Sequence, residues 1–142
     1  MLSGKCLCGN ITVTLNSEPS LVALCHCDDC RKISGSLFTY NLLIKEADLT
    51  VTGSPKETRK TADSGNNVMN YFCGDCGTPL FGGSETLRKQ AGKIIVRGSI
   101  FDDVGLAHQY QPDAELYAYR RPKWLCAVEN AEQLTGMPLV VP

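Results

Sequence analysis

The sequence lacks any apolar run approaching the ~20 residues that cross a bilayer, so no segment reads as a membrane span and a soluble protein is expected. Its opening Met1-Leu2-Ser3-Gly4-Lys5 has no apolar stretch of the kind a secretory leader needs, which predicts an intracellular, cytoplasmic protein. An excess of charge is lacking too: 14 Lys and Arg stand against 15 Asp and Glu, a formal net charge of −1. That balance removes any general attraction to nucleic acid or anionic membrane, and neither is expected as a partner. There is no repeat with a period of roughly 20 to 50 residues, no low-complexity tract and no linker. The 142 residues fit one domain, 1–142, able to bury roughly two thirds of the surface its unfolded chain exposes, so a core needs no disulfides.

Helical periodicity is scarce, confined to short pieces at Asp28 to Ile33, Glu85 to Lys89 and Ala131 to Leu134. Strand pattern dominates. Ile11 to Leu15 alternates apolar and polar residues, and Leu21 to Leu24, Phe38 to Ile44, Leu49 to Thr52, Lys56 to Thr61, Val68 to Phe72, Ile94 to Val96 and Leu116 to Tyr119 are short, mostly β-branched or aromatic runs. Gly53-Ser54-Pro55, Ser64-Gly65-Asn66-Asn67 and Phe81-Gly82-Gly83-Ser84 read as the breakers between them, and Ala62 to Asn67 as a polar loop. A mainly β protein with short helices follows.

What the sequence has in abundance is cysteine. Seven of its 8 cysteines fall into the clusters Cys6/Cys8, Cys25/Cys27/Cys30 and Cys73/Cys76. In a reducing compartment such density indicates metal ligands more than disulfides. Cys6-Leu7-Cys8-Gly9 and Cys73-Gly74-Asp75-Cys76-Gly77 each end in Cys-Gly, where the backbone can turn its N–H groups toward the sulfurs. Two such pairs make a closed four-thiolate zinc site, a staple whose binding free energy is folding free energy. Cys25-His26-Cys27-Asp28-Asp29-Cys30 offers three sulfurs and no fourth, which leaves a coordination position open to water, a thiol or a carbonyl oxygen. His26, between two ligands, is expected to pack or hydrogen-bond and not to ligate. Cys126, among the apolar residues of Trp124-Leu125-Cys126-Ala127, is expected to be a small buried or half-buried residue.

These motifs, with Arg31-Lys32-x-x-Gly35, Thr78 and the late Arg121-Pro122-x-Trp124, make the chain similar to the glutathione-dependent formaldehyde-activating enzyme family, which also includes centromere protein V. The resemblance implies an Mss4-like fold of antiparallel sheets, a structural zinc on Cys6, Cys8, Cys73 and Cys76, and a second, catalytic and labile zinc on Cys25, Cys27 and Cys30. It implies a carbon–sulfur lyase-type activity in which glutathione or another small thiol combines with formaldehyde or another small electrophile. Candidate substrate-binding residues are Arg31 and Lys32, which could draw glutathione carboxylates or form the solvated face of a helix, and His108, a pocket or a surface residue. Glu115 stands where many relatives carry a histidine, as a carboxylate base or a solvated glutamate.

Two other functions compete. A non-catalytic zinc module for a protein or thiol partner needs only the same thiolates, though Arg120-Arg121-Pro122-Lys123 is too small a basic cluster for strong phosphate binding. Methionine sulfoxide reductase chemistry would use Cys126, but leaves the Cys25 to Cys30 cluster without a role.

Overall fold

The computed structural model describes residues 1–62, 65–138 and 142. Its strands are β1 (Leu2–Lys5), β2 (Thr12–Leu15), β3 (Leu21–Cys25), β4 (Thr39–Lys45), β5 (Leu49–Thr52), β6 (Lys56–Thr61), β7 (Asn67–Phe72), β8 (Pro79–Ser84), β9 (Lys93–Arg97), β10 (Ala114–Leu116) and β11 (Glu132–Gln133). The helices are α1 (Asp28–Ser34), α2 (Glu85–Ala91) and α3 (Gly105–Gln109). Mainly β architecture is therefore what this sequence forms. None of the described helices is long and apolar enough to cross a membrane.

Two sheets divide the strands. The smaller runs β1-β2-β5, and the larger β11-β10-β3-β4-β9-β8-β7-β6. Pairing is antiparallel except at one end of the large sheet, where β10 lies parallel to both β3 and β11. Parallel neighbours need a long return connection: residues 117–131 supply it between β10 and β11, and the whole run from α1 to α3 separates β3 from β10.

Register decides which face each side chain joins. Paired residues share a face and successive residues alternate. Val22, Leu42, Ile44, Phe81, Ile94 and Val96 thus point to one side, where they pack with Val13 and Leu15 of the small sheet as the main core. Cys25, Ala23, Asn41, Ile95, Arg97, Gly82 and Asn70 point to the other. The partly polar face is the one that carries the site.

Several expectations are corrected by this topology. Phe81-Gly82-Gly83-Ser84 is not a turn but four of the six residues of β8, all paired with β7 and the first two also with β9. Its glycines serve close approach: a Cβ on Gly82 would lie 2.5 Å from the Met69 carbonyl oxygen and 2.7 Å from Asn70 Oδ1. Gly82→Ala should therefore cost about 1–3 kcal/mol by overpacking, and an unchanged thermal midpoint would contradict that. Ala131 to Leu134 contains β11 and no helix, because Glu132 and Gln133 complete the edge beside β10. The strand read at Leu116 to Tyr119 ends at Leu116, since Tyr117 turns to φ 52 and a 3₁₀ turn follows over Ala118–Arg120. β1 and α3 had no periodic signal. Of the loop read at Ala62 to Asn67, residues 63 and 64 lie outside the described residues.

Candidate functional site

Cys6 and Cys8 occupy the hairpin between β1 and β2, and Cys73 and Cys76 the hairpin between β7 and β8. Each hairpin is closed by the same device. Cys6 N–H donates to Ile11 O (3.0 Å) and Gly9 N–H to Cys6 O (2.9 Å), while Cys73 N–H donates to Thr78 O (3.0 Å) and Gly77 N–H to Cys73 O (2.8 Å). Gly9 and Gly77 take φ of 81° and 77°, conformations most side chains avoid. The four sulfurs converge within 4.8 Å of one another. Cys6 Sγ lies 3.6 Å from Cys8 Sγ, and Cys8 Sγ 3.7 Å from Cys73 Sγ.

Those separations test the fit of a metal. Four sulfurs about 2.3 Å from a central zinc lie about 3.8 Å apart along the edges of a tetrahedron. The sulfur set fits zinc. Donors already face it: Ile11 N–H donates to Cys6 Sγ at 3.3 Å, and Cys76 Sγ is 3.1 Å from the Thr78 hydroxyl, which with other hydrogen bonds draws the Cys76 thiol down to about 5. Because one hairpin belongs to each sheet, an ion here would tie the two sheets together.

The second cluster is built at a strand-to-helix junction. Cys25 ends β3, Cys27 is the N-cap of α1 and accepts from Cys30 N–H at 3.4 Å, and Cys30 lies in the first turn. The three sulfurs also fall within 4.8 Å of one another, with no fourth ligand from a histidine, cysteine or carboxylate among the described residues. Without a metal they compete for protons. Hydrogen bonds from Cys25 and Cys27 hold the Cys30 thiol far below its ordinary value, and those with Cys27 and Cys30, with burial, push Cys25 up. Three buried or half-buried sulfurs sharing one proton-deficient space suit a thiophilic cation.

A cavity of about 250 Å³ opens on this trio. Its walls include Leu87, Ile95 and Leu116, and its lining includes Arg97, Asn41, Asn70 and Tyr117. Arg97 is only 7% exposed; its Nη1 donates to Asn41 Oδ1 at 2.6 Å and its Nη2 to Asn70 Oδ1 at 2.9 Å. Burial, then the neighbouring Cys25 and Cys27 sulfurs, push the Tyr117 phenol up, so it keeps its proton. A further hollow of about 340 Å³ shares Cys27 and Tyr117 with the cavity and is flanked by the pairs Lys60–Asp29 (2.6 Å) and Arg120–Asp28 (2.8 Å).

The candidate substrate-binding residues fall elsewhere. Neither Arg31, Lys32, His108 nor Glu115 is in the cavity lining. Arg31 pairs with Asp28 at 2.6 Å on α1, Lys32 is exposed, and His108 is exposed on α3. Glu115 is neither solvated nor in the cavity. It pairs with Leu24 in register and so faces the side opposite Cys25, fully buried. There it accepts from His26 Nε2 (2.8 Å), Val128 N–H (2.9 Å) and Gln133 Nε2 (2.8 Å), with Arg121 Nη1 at 3.3 Å. His26 is thus a hydrogen-bonding imidazole and belongs to neither sulfur group.

Cys126, expected to be buried or half-buried, is exposed, and Trp124 two residues before it is 74% exposed. Its segment belongs to no strand or helix, so apolar neighbours in sequence do not bring burial. Arg97, Asn41, Asn70 and Tyr117 were missed. The one available signal was the charge closing an otherwise apolar strand, Ile94-Ile95-Val96-Arg97.

The Glu115 hub carries a prediction. Burial pushes its carboxyl up, but the hydrogen bonds from Gln133, His26 and Val128, with the Arg121 charge, outweigh that and hold it below its usual 4.5. Its contribution is therefore complete above pH 4.5 and is lost as pH falls through the lower folded value. Glu115→Ala, which strands several buried donors, should lose about 3–5 kcal/mol at neutral pH. Denaturant titrations of Glu115→Gln and the parent should converge in acid, and a constant gap between them would refute this role.

Fold and site together define a mainly β protein with two thiolate clusters, one of them bordering a ligand-sized cavity. Residues 1–120 match the model of the glutathione-dependent formaldehyde-activating enzyme family, and the chain belongs to that family. A relative from Penicillium rubens named "Putative glutathione-dependent formaldehyde-activating enzyme" is 31% identical over 103 residues, covering 71% of this chain and 53% of its own. One of the same name from Aspergillus terreus is 29% identical over 101 residues, covering 71% and 52%. The chain thus spans about half the length of these relatives. A crystal structure of a Rhodobacter sphaeroides protein superposes with a TM-score of 0.54 at 21% identity, covering 72% of this chain and 90% of that one, a likeness of fold.

Proposed function

We propose that the protein is a zinc-dependent carbon–sulfur lyase-type enzyme that joins a small thiol, foremost glutathione, to formaldehyde or a related small electrophile, and reverses the same step. The observation that carries this reading is the placement of the three-sulfur cluster Cys25, Cys27 and Cys30 in the wall of a cavity, while the four-sulfur cluster bridges two sheets at a pair of hairpins. A closed set serves structure; an incomplete set beside a cavity serves chemistry.

The step conserves electrons. The thiol S–H adds across the carbonyl: a carbon–sulfur bond forms, the carbon–oxygen π bond breaks and the thiol proton ends on the former carbonyl oxygen. A zinc ion held by Cys25, Cys27 and Cys30 would supply a Lewis-acidic position that eases loss of the thiol proton or polarises the carbonyl. The chain supplies the rest. Leu87, Ile95 and Leu116 exclude water from one side. Tyr117 Oη, protonated beside the trio, can deliver a proton to the adduct oxygen. The adjoining hollow between Lys60–Asp29 and Arg120–Asp28 presents both signs of charge, as a peptide thiol with carboxylates and an ammonium group requires.

Exchange spectroscopy of glutathione with formaldehyde tests the reading directly. The protein should speed interconversion of free and adduct signals above the uncatalysed rate, and metal analysis should find two zinc ions per chain before glutathione is added. Uncatalysed exchange in the presence of fully loaded protein would overturn the proposal.

A further inference from the structure

Arg97 is the least expected group in the cavity. It is a permanently charged side chain, 93% withdrawn from solvent by its 7% exposure, and among the described residues it pairs with no carboxylate. Its partners are neutral: the amide oxygens of Asn41 and Asn70 take one N–H from each terminal nitrogen. The guanidinium is thereby held at two points from two strands, β4 and β7, and among the described residues no other side chain takes its remaining N–H groups. Holding such a charge in a buried wall is costly unless anionic groups meet it; the sulfur trio in the same cavity is one, and a ligand carboxylate would be a second.

Size points the same way. A one-carbon aldehyde is little larger than a water molecule, whose share of liquid volume is about 30 Å³. The cavity is about 250 Å³, and its walls beyond the sulfur trio are largely aliphatic. Gly82, paired with Asn70, leaves the sheet bare there, and Arg97 crosses β8 at that point to reach Asn70. The space therefore has a sulfur end, an apolar wall and a cationic end, all on one face of the large sheet.

We infer that Arg97 is a carboxylate anchor and that the electrophile this cavity takes is a small 2-oxo acid, whose carboxylate pairs with the guanidinium while its adjacent carbonyl carbon faces the sulfur trio. This rests on the thiol-addition reading only for the chemistry, not for the binding. The planar fork of an arginine matches two carboxylate oxygens, and a carbonyl one bond away is then oriented along with it. Addition proceeds as for formaldehyde: the thiol sulfur bonds to the carbonyl carbon, the π bond opens, and the thiol proton passes to the oxygen, with no oxidant or reductant.

The test separates recognition from turnover. Oxamate carries a carboxylate beside an unreactive amide carbonyl, and acetamide is its neutral counterpart; both are titrated calorimetrically into the zinc-loaded protein without glutathione. Oxamate should bind and acetamide should not. Arg97→Gln should weaken oxamate about tenfold to a hundredfold, the range expected for charged hydrogen bonds, and Arg97→Lys, which keeps the charge but not the fork, should fall between. Zinc content and thermal midpoint are recorded for each variant. Equal binding of oxamate and acetamide, no oxamate binding, or an Arg97→Lys protein indistinguishable from the parent would overturn the inference, as would oxamate binding lost only in step with zinc. Glyoxylate and formaldehyde are then compared with glutathione. A higher kcat/KM for glyoxylate supports the substrate class; formaldehyde turnover without oxamate binding sinks the anchor alone, whereas oxamate binding without turnover of either sinks the thiol-addition reading and leaves the anchor standing.

Discussion

Replacing Cys73 with serine should leave the protein unable to fold. Cys73 is 1% exposed and shares its site with sulfurs from the opposite sheet. Structural zinc sites in small domains contribute an apparent ~10–16 kcal/mol of binding free energy. That is as large as the ~5–15 kcal/mol by which an ordinary domain is stable at all. A serine hydroxyl replaces a soft thiolate with a weak, neutral donor, so the loss should exceed the margin. Insoluble or metal-depleted protein is expected, and strong chelation of the parent should unfold it in parallel. A soluble Cys73→Ser chain with full zinc and an unchanged unfolding midpoint would show that no metal staple holds the two sheets together.

Replacing Cys27 with serine should separate chemistry from folding. Cys27 is half-buried at the N-cap of α1, and serine is itself a good cap, so the helix start survives the change. What is lost is one of three sulfurs at the cavity wall. Zinc should fall from two ions per chain to one, with the thermal midpoint little altered. Glutathione-dependent exchange should fall by at least about a hundredfold, since loss of a ligand exceeds the ~10–100-fold cost of disturbing groups around one. Retained exchange by a one-zinc protein would place the reaction elsewhere.

The two substitutions are chemically identical, yet they should differ in outcome because of where each cluster lies. Both pairs of the four-sulfur cluster lie in hairpin turns, one per sheet, so an ion held there would join residues 65 or more apart in sequence. The trio comes from a single strand-to-helix junction of six residues, Cys25 to Cys30. A local cluster closes little loop entropy, and its loss costs the fold less.

The periodic strands and the cysteine spacing were legible because both signals are local. Alternation marks a strand wherever one face is buried, as in β2, where Val13 and Leu15 are inaccessible and the alternating Thr12 and Thr14 are not. β8 was illegible for the opposite reason. Its Gly82 is selected by what lies across the sheet, the Met69 backbone and the Asn70 side chain, and Gly83 by the Leu87 side chain of α2, while sequence reports both only as breakers. Glu115 was misplaced by the same limit. Its neighbours imply a strand, but only its parallel register with Leu24 sends it behind the sheet to His26. Cys126 shows that apolar company in a segment without regular structure says little about burial.

By itself the amino-acid sequence determined that this is a mainly β chain with two cysteine pairs and one cysteine trio, since spacing along the backbone limits which neighbouring sulfurs a metal can gather; that the two pairs meet was decided by the hairpins that carry them. Only the tertiary structure decided that Arg97, Asn41, Asn70 and Tyr117 share a cavity with the trio while Glu115, His108, Arg31 and Lys32 do not. Sheet register and parallel or antiparallel pairing set those choices. A shift of one residue sends a side chain to the opposite face, and nothing in a strand's own composition records which strand lies beside it.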